Sequence, residues 1–239
     1  MVAWSTSSTG QVTQTATITA PVRGFLVATM WSVAGLVDEA WSRIVAWLAI
    51  NAPTTAARVN PPATNMSIAA AQREFRQSLP AGLVQWWHRA DGVQVLMGQG
   101  SLLPPFFLPY SVEHALRNWR MLLEVYSDPS LGGAVAREAG QMRPAGSSGL
   151  QFLPSFVPIA FDGGGGHLIL DLRSGPLHEC VMAFHAELGT QDPLWGGIAE
   201  MLDDVADAIE YGTPTAGGHL AVMRDDGTLD WILPNHRRR

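Results

Sequence analysis

The chain has 239 residues and a formal charge of −6, with 47% hydrophobic and 15% charged residues. Average soluble domains carry about 25% charged residues, so the deficit lies in charge and a wholly disordered chain is excluded. The length favours one large domain, or one domain with an added arm. All fifteen basic residues are arginine, which excludes a catalytic lysine of the Walker or Schiff-base type.

The acidic balance and the cysteine content indicate a class of partner and a compartment. Nucleic acids and anionic membranes are held mainly by Lys and Arg contacts with phosphate, so we expect neither, and a basic protein is favoured. The single cysteine, Cys180, cannot form an internal disulfide or a thiolate zinc cluster, which favours a reducing compartment. The sequence predicts a cytoplasmic protein with no cofactor and no metal.

The sequence predicts three parts along the chain. Residues 1–24 are rich in Ser and Thr and predict a flexible arm, residues 25–235 a single domain, and residues 236–239 a basic tail. The uncharged run from Gly24 to Val37 is shorter than the ~20 residues that cross a bilayer, which favours a core helix. A signal peptide is the alternative.

Helical patterns dominate the first half, and strand patterns the second. The spacing predicts helices over 25–50, from a Ser67 cap through Phe75, over 81–92, and from a Ser111 cap to Pro129. A mobile loop is expected over 131–149. Two strands joined by a glycine turn, a third strand, a helix over 194–211 and a hairpin at Asp226–Gly227 follow. The fold class is therefore α+β: N-terminal helices packed on a mostly antiparallel meandering sheet, with a C-terminal helix and a final hairpin.

Several separate motifs, in this order and spacing, resemble the SUKH superfamily. This superfamily is typified by fungal Smi/Knr cell-wall-assembly regulators and by bacterial immunity proteins that neutralise secreted polymorphic toxins. The resemblance implies an α+β domain that binds other proteins, not an enzyme. Family members commonly carry glycine where Glu179 stands here. The residues that carry the resemblance are Trp41, Leu79, Pro80, Trp87, Asp91, Gly92, Trp119, Pro158, Asp162, Gly166 and Asp171.

Three candidate chemistries are weighed against structural roles. The run Gly163–Gly166 precedes a strand pattern and not a helix, so a hairpin turn capped by Asp162 is favoured over a phosphate-binding loop. His178 and His185 are seven residues apart, which places them on opposite faces of a strand and disfavours a metal site. Cys180 is expected to be a packing residue. A small hydrolase that uses Cys180, Asp162 or Asp171 is the alternative from the enzyme class.

The last predicted helix carries the strongest functional signal. Its polar face is expected to be either a solvated surface or a docking surface for a basic protein. Trp86 and Trp87 lie about 100° apart on their helix and cannot both face the same way, so Trp86 is predicted to be exposed in a surface groove. The leading hypothesis is an immunity protein that neutralises a basic toxin domain, and the alternative is a regulatory scaffold in cell-wall assembly. The carboxylates of this face are Glu200, Asp203, Asp204, Asp207 and Glu210.

Overall fold

A computed structural model describes residues 32–95, 100–128 and 133–234 of the chain. The predicted arm (1–24), the first part of the predicted helix over 25–50 and the basic tail (236–239) lie outside the described residues. No helix among the described residues has the length and apolar character needed to cross a bilayer.

Seven helices and seven strands form the described part of the chain. The helices are α1 (Val33–Asn51), α2 (Pro53–Ala56), α3 (Asn65–Phe75), α4 (Ala81–Arg89), α5 (Val112–Val125), α6 (Gly133–Gln141) and α7 (Ile198–Tyr211). The strands are β1 (Leu108–Pro109), β2 (Phe156–Phe161), β3 (Gly166–Asp171), β4 (Cys180–His185), β5 (Gly189–Trp195), β6 (Leu220–Met223) and β7 (Leu229–Ile232).

The strands form one sheet and one hairpin. Strands β1 to β5 are neighbours in chain order and all pair antiparallel, while β6 and β7 form a separate antiparallel hairpin. The helices α1 to α4 precede the sheet, α5 and α6 lie between β1 and β2, and α7 follows β5. The predicted α+β class with a meandering sheet and a final hairpin is therefore confirmed.

Both faces of the central sheet are buried, which explains why β2, β3 and β4 are apolar at nearly every position. One face contributes Val157, Leu168 and Val181 to a core shared with α1, α4 and α7. The opposite face contributes Phe156, Ile169 and Phe184 to a second core that is closed by the C-terminal half of α5. The helices α1 and α7 pack along each other on the outside of the first core.

The capping residues of two helices test the predicted starts. Ser111 caps α5, and its side chain accepts a hydrogen bond from the backbone N–H of His114 at 3.1 Å, as the sequence predicts. The predicted Ser67 cap of α3 is wrong. Thr64 is the cap, and its hydroxyl accepts from the backbone N–H of Ser67 at 3.1 Å.

Two elements depart from the predictions. The segment expected to be a mobile loop over 131–149 contains α6, which is followed by a turn held to the end of β3. Strand β5 was not predicted, because its residues Thr190, Gln191, Asp192 and Pro193 show no strand-like alternation. It pairs with β4 through a register that shifts twice.

Candidate functional site

Asp91 and Gly92 directly follow α4 and contact the start of α5. The Oδ1 of Asp91 accepts a hydrogen bond from the backbone N–H of Val112 at 2.7 Å. Gly92 has a left-handed backbone with φ of +69°, and a Cβ there would lie 2.4 Å from the backbone nitrogen of Ser111. Only glycine allows this close approach, so both residues have a structural role.

Asp162 and Gly166 shape the turn between β2 and β3. The Oδ1 of Asp162 accepts from the backbone N–H groups of Gly164 and Gly166 at 2.7 and 2.8 Å. A Cβ on Gly166 would lie 2.3 Å from the Asp162 carboxylate. The glycine run is therefore a hairpin turn that Asp162 caps, as predicted, and not a loop that opens a helix.

The tryptophans predicted on helices pack in the core or against it, and the predicted exposure of Trp86 is wrong. Trp86 is 3% exposed and packs edge-to-face on Trp41 of α1, with ring centroids 6.1 Å apart. Trp87 is 1% exposed, and its Nε1 donates to the carbonyl of Tyr110 at 3.4 Å. Because α4 is covered on two sides, two residues 100° apart on the helix are both buried.

The remaining signature residues also serve the scaffold. Leu79 and Pro80 are buried directly before α4, where Pro80 is the N-cap residue. Pro158 pairs with Ile169 beside an irregularity in β2. Trp119 of α5 packs edge-to-face on Phe75 at 5.1 Å.

Asp171 and Arg173 form a buried ion pair at the end of β3. Their side chains are 0% and 2% exposed, and the Nη2 of Arg173 lies 2.6 Å from the Oδ2 of Asp171. The same carboxylate accepts from the backbone N–H of Gly146 at 2.8 Å. Arg173 also donates to the carbonyls of Gly140 and Ser147 at 3.1 and 2.7 Å. The pair therefore fixes the segment after α6 to the sheet and leaves no free carboxylate for catalysis at Asp171.

Glu179 has a backbone conformation that favours glycine, the residue expected at this position from the SUKH resemblance. Its φ is +73°, in the left-handed region that costs a residue with a Cβ about 1–2 kcal/mol. Its backbone N–H donates to the carbonyl of Asp171 at 2.9 Å, and this contact holds the turn before β4. The turn before β4 therefore forms at a backbone cost.

Tyr110 and His167 form a buried polar pair inside the fold. The Tyr110 hydroxyl and the Nδ1 of His167 lie 3.1 Å apart, and Tyr110 stacks on Phe161 with ring centroids 5.0 Å apart. Burial lowers the pKa of His167 from 6.5 to about 4, although Asp162 opposes the shift. Burial also raises the pKa of Tyr110 above its ordinary value. Both groups are therefore neutral at pH 7.

The buried His167 should make the unfolding free energy of the protein fall as the pH falls. Below pH 6.5 the unfolded chain binds a proton at this histidine, while the folded protein resists protonation down to about pH 4. We expect wild type to lose about 2 kcal/mol more unfolding free energy than His167→Gln between pH 7 and pH 5. Urea denaturation at the two pH values measures this difference. A wild-type slope in His167→Gln would contradict the assignment.

Cys180 is buried at the start of β4 and belongs to the second core. Desolvation, helped by the charge of Asp171, raises the pKa of its thiol to about 11. At pH 8 about one thiol in a thousand is then ionised. We therefore expect no iodoacetamide labelling of the native protein at pH 8 and complete labelling in urea. Rapid labelling of the native protein would restore the nucleophile hypothesis.

Four carboxylates and one guanidinium form an acidic patch where α1 packs along α7. Arg43 of α1 places its Nη1 2.8 Å from Asp203, and its Nη2 2.6 Å from both Asp207 and Glu210. Glu210 and Asp207 raise the pKa of Arg43 above its ordinary value, against the opposing effect of desolvation. Glu39 completes the group, because its charge acts on Asp203. The acidic patch, Glu39, Arg43, Asp203, Asp207 and Glu210, has a net formal charge of −3.

The other two predicted carboxylates of α7 have local structural roles. The Oδ2 of Asp204 accepts from the Nε1 of Trp195 at 2.8 Å and from the backbone N–H of Ala216 at 2.9 Å. Glu200 accepts from the backbone N–H of Gly196 at 2.8 Å. The structure therefore brings three of the five predicted carboxylates together around Arg43. Glu200 and Asp204 instead hold neighbouring backbone and side-chain groups in place.

Desolvation raises the pKa of Asp203, and repulsion from Asp207 and Glu39 adds to the shift against the attraction of Arg43. Negative charge in the patch is therefore only partly neutralised.

Sequence reasoning missed Glu39 and Arg43, because each lies on α1 and joins α7 only through the fold. It also missed Tyr211, which is 70% exposed directly after Glu210. An aromatic residue at the end of a helix, directly after an acidic face, is the sequence signal that could have found it.

The described residues contain no group of three or more His, Cys, Asp or Glu side chains arranged to hold a metal ion. The fold and the site define a class of α+β domain in which signature residues build the scaffold and a charged helix pair is presented on the surface. The chain belongs to the SMI1/KNR4 family (SUKH-1), whose family model matches residues 62–204. The match covers more than half of the chain and includes every signature residue except Trp41. No curated protein matches the chain. Domains of this family typically bind protein partners.

Proposed function

We propose that the protein is a non-enzymatic immunity protein that binds a basic toxin domain through the acidic patch. The observation that carries the proposal is the arrangement of Asp203, Asp207 and Glu210 around Arg43. One guanidinium orients three carboxylates, and a fourth lies on the adjacent helix. The surface therefore presents excess negative charge in a fixed geometry.

A fixed surface favours tight and selective association, and its net charge favours a fast encounter. Side chains that are already ordered lose little conformational entropy on binding, and complementary charge raises the encounter rate and disfavours wrong partners. The exposed ring of Tyr211 and the exposed Leu36 of α1 (43%) add apolar area on the same two helices. Aromatic residues of this kind often dominate the binding energy of an interface.

The chemistry of the partner follows from the sign of the charge. A toxin that acts on nucleic acid needs a basic surface to hold phosphates, and such a surface complements the acidic patch. An acidic patch disfavours nucleic acid and anionic membranes as direct partners. A reducing cytoplasm, consistent with a lone buried cysteine, is the compartment in which we place this encounter.

The groups proposed for a hydrolase are already engaged elsewhere. Cys180 is buried with a raised pKa, Asp162 caps a turn, and Asp171 is bound to Arg173. This occupancy supports a binding role over catalysis. A regulatory scaffold in cell-wall assembly would use the same binding mode with a different partner, so the test must identify the partner.

The test starts from the gene neighbourhood. If an adjacent gene encodes a secreted protein with a toxic C-terminal module, that module is purified and titrated with this protein. We expect toxic activity to fall in proportion to added protein and to vanish near one equivalent. Full toxin activity in the presence of excess folded protein would contradict the immunity proposal. A neighbouring set of cell-wall genes, with binding to one of their products, would favour the scaffold.

A further inference from the structure

A second surface lies on elements other than α1 and α7. The C-terminal end of α3, Trp119 of α5, Gln141 of α6 and the segment Pro154–Ser155 enclose a groove of about 900 Å³. Grooves of this volume are large enough to bury several side chains of a bound peptide.

The floor and walls of the groove are held by direct contacts. Phe75 and Trp119 pack edge-to-face, and the Nε1 of Trp119 donates to the carbonyl of Pro154 at 3.2 Å. The Nε2 of Gln77 donates to the same carbonyl at 3.1 Å. On the opposite side, the hydroxyl of Ser155 donates to Gln141 at 3.1 Å. The groove is therefore preformed, and the partly buried Trp119 supplies its aromatic surface.

The charge of the groove is opposite to that of the chain as a whole. Arg73 and Arg76 are both exposed, and neither forms an ion pair with a carboxylate of the described residues. The one carboxylate of the lining, Glu74, is neutralised by Arg120 at 2.9 Å. The Nε of Arg73 donates to the carbonyl of Ala69 at 3.3 Å, so its two Nη groups and the guanidinium of Arg76 remain available at the rim in a protein of net charge −6.

We propose that this groove binds an acidic, extended peptide segment of a protein partner. Arginine holds carboxylates through paired hydrogen bonds, so Arg73 and Arg76 would each receive an acidic side chain. An apolar side chain between them would cover the indole of Trp119. Nucleic acid is disfavoured as the occupant, because its affinity requires many more phosphate contacts than two arginines supply. The groove is independent of the acidic patch and of the proposed immunity role.

An array of extended peptides of about ten residues tests the proposal. One set alternates Asp or Glu with Leu, Phe or Gly, and a matched set has Lys in place of each acidic residue. We expect selective binding of the acidic set. The double variant Arg73→Gln/Arg76→Gln should weaken that binding at least tenfold, while Arg117→Gln, at an exposed arginine paired with Glu113, should leave it unchanged.

Equal binding of both peptide sets, no binding of the acidic set, or full binding by the double variant would overturn the proposal. Tighter binding of a single-stranded oligonucleotide than of the acidic set would also overturn it. Neutralising the acidic patch should leave peptide binding intact, so failure of the groove proposal is distinguishable from failure of the immunity proposal.

Discussion

Replacing Asp171 by Asn is expected to destabilise the protein by about 3–5 kcal/mol, since it leaves the buried charge of Arg173 without its counterion. The two side chains are almost completely inaccessible to solvent and lie 2.6 Å apart. Arg173 cannot move to water without releasing the carbonyls of Gly140 and Ser147. Urea denaturation of the purified variant measures the loss of unfolding free energy.

A double variant and a surface control make this result specific to the pair. Asp171→Asn/Arg173→Met removes both charges and should be more stable than Asp171→Asn alone, because an uncompensated buried charge costs more than a missing pair. Asp192→Asn changes an exposed carboxylate on β5 and should shift stability by no more than about 0.5 kcal/mol. A loss below about 1 kcal/mol for Asp171→Asn would contradict a structural role of the ion pair.

Neutralising the acidic patch is expected to slow association with the basic toxin domain by about tenfold or more at low salt. The variant Glu39→Gln/Asp203→Asn/Asp207→Asn removes three negative charges and keeps the size of each side chain. We expect the difference from wild type to shrink as the salt concentration rises, because ions screen charges on an exposed surface. Stopped-flow or surface-based kinetics over a range of ionic strength measures the association rate.

Removal of Arg43 provides the opposite change on the same surface. Arg43→Met raises the net negative charge of the patch and should increase the association rate, while the repelling carboxylates of α7 make the fold slightly less stable. A purely structural role for these residues would lower stability without changing the rate. Unchanged association rates in both variants would contradict the docking role of the patch.

Local signals in the sequence were enough for the elements that have their own boundaries. The helix α5 begins at a serine cap and carries an apolar period, and β2 and β3 are joined by a turn rich in glycine, so both were predicted. The helix α6 was missed, because Arg173, which donates to the carbonyl of its Gly140, lies more than thirty residues later in the chain. The strand β5 was missed because its pairing partner, and not its own sequence, makes it a strand.

The candidate site was predicted only on α7. A single helix shows its own carboxylates, but the partners that orient or separate them come from other elements. Arg43 lies 160 residues before Asp203. Asp204 accepts hydrogen bonds from the indole of Trp195 and the backbone of Ala216 instead of from Arg43. Trp86 was placed on the surface because helix periodicity gives an angle between neighbours and not the number of layers that cover the helix.

Growth rescue by co-expression tests the proposed immunity function most directly. Cells that express the toxic module of a neighbouring gene are supplied with the wild-type protein or with the patch variant Glu39→Gln/Asp203→Asn/Asp207→Asn. We expect growth to be restored by the wild type and to be restored poorly by the variant, with both proteins soluble and folded. Continued toxicity in cells that contain abundant, folded wild-type protein would contradict the immunity function.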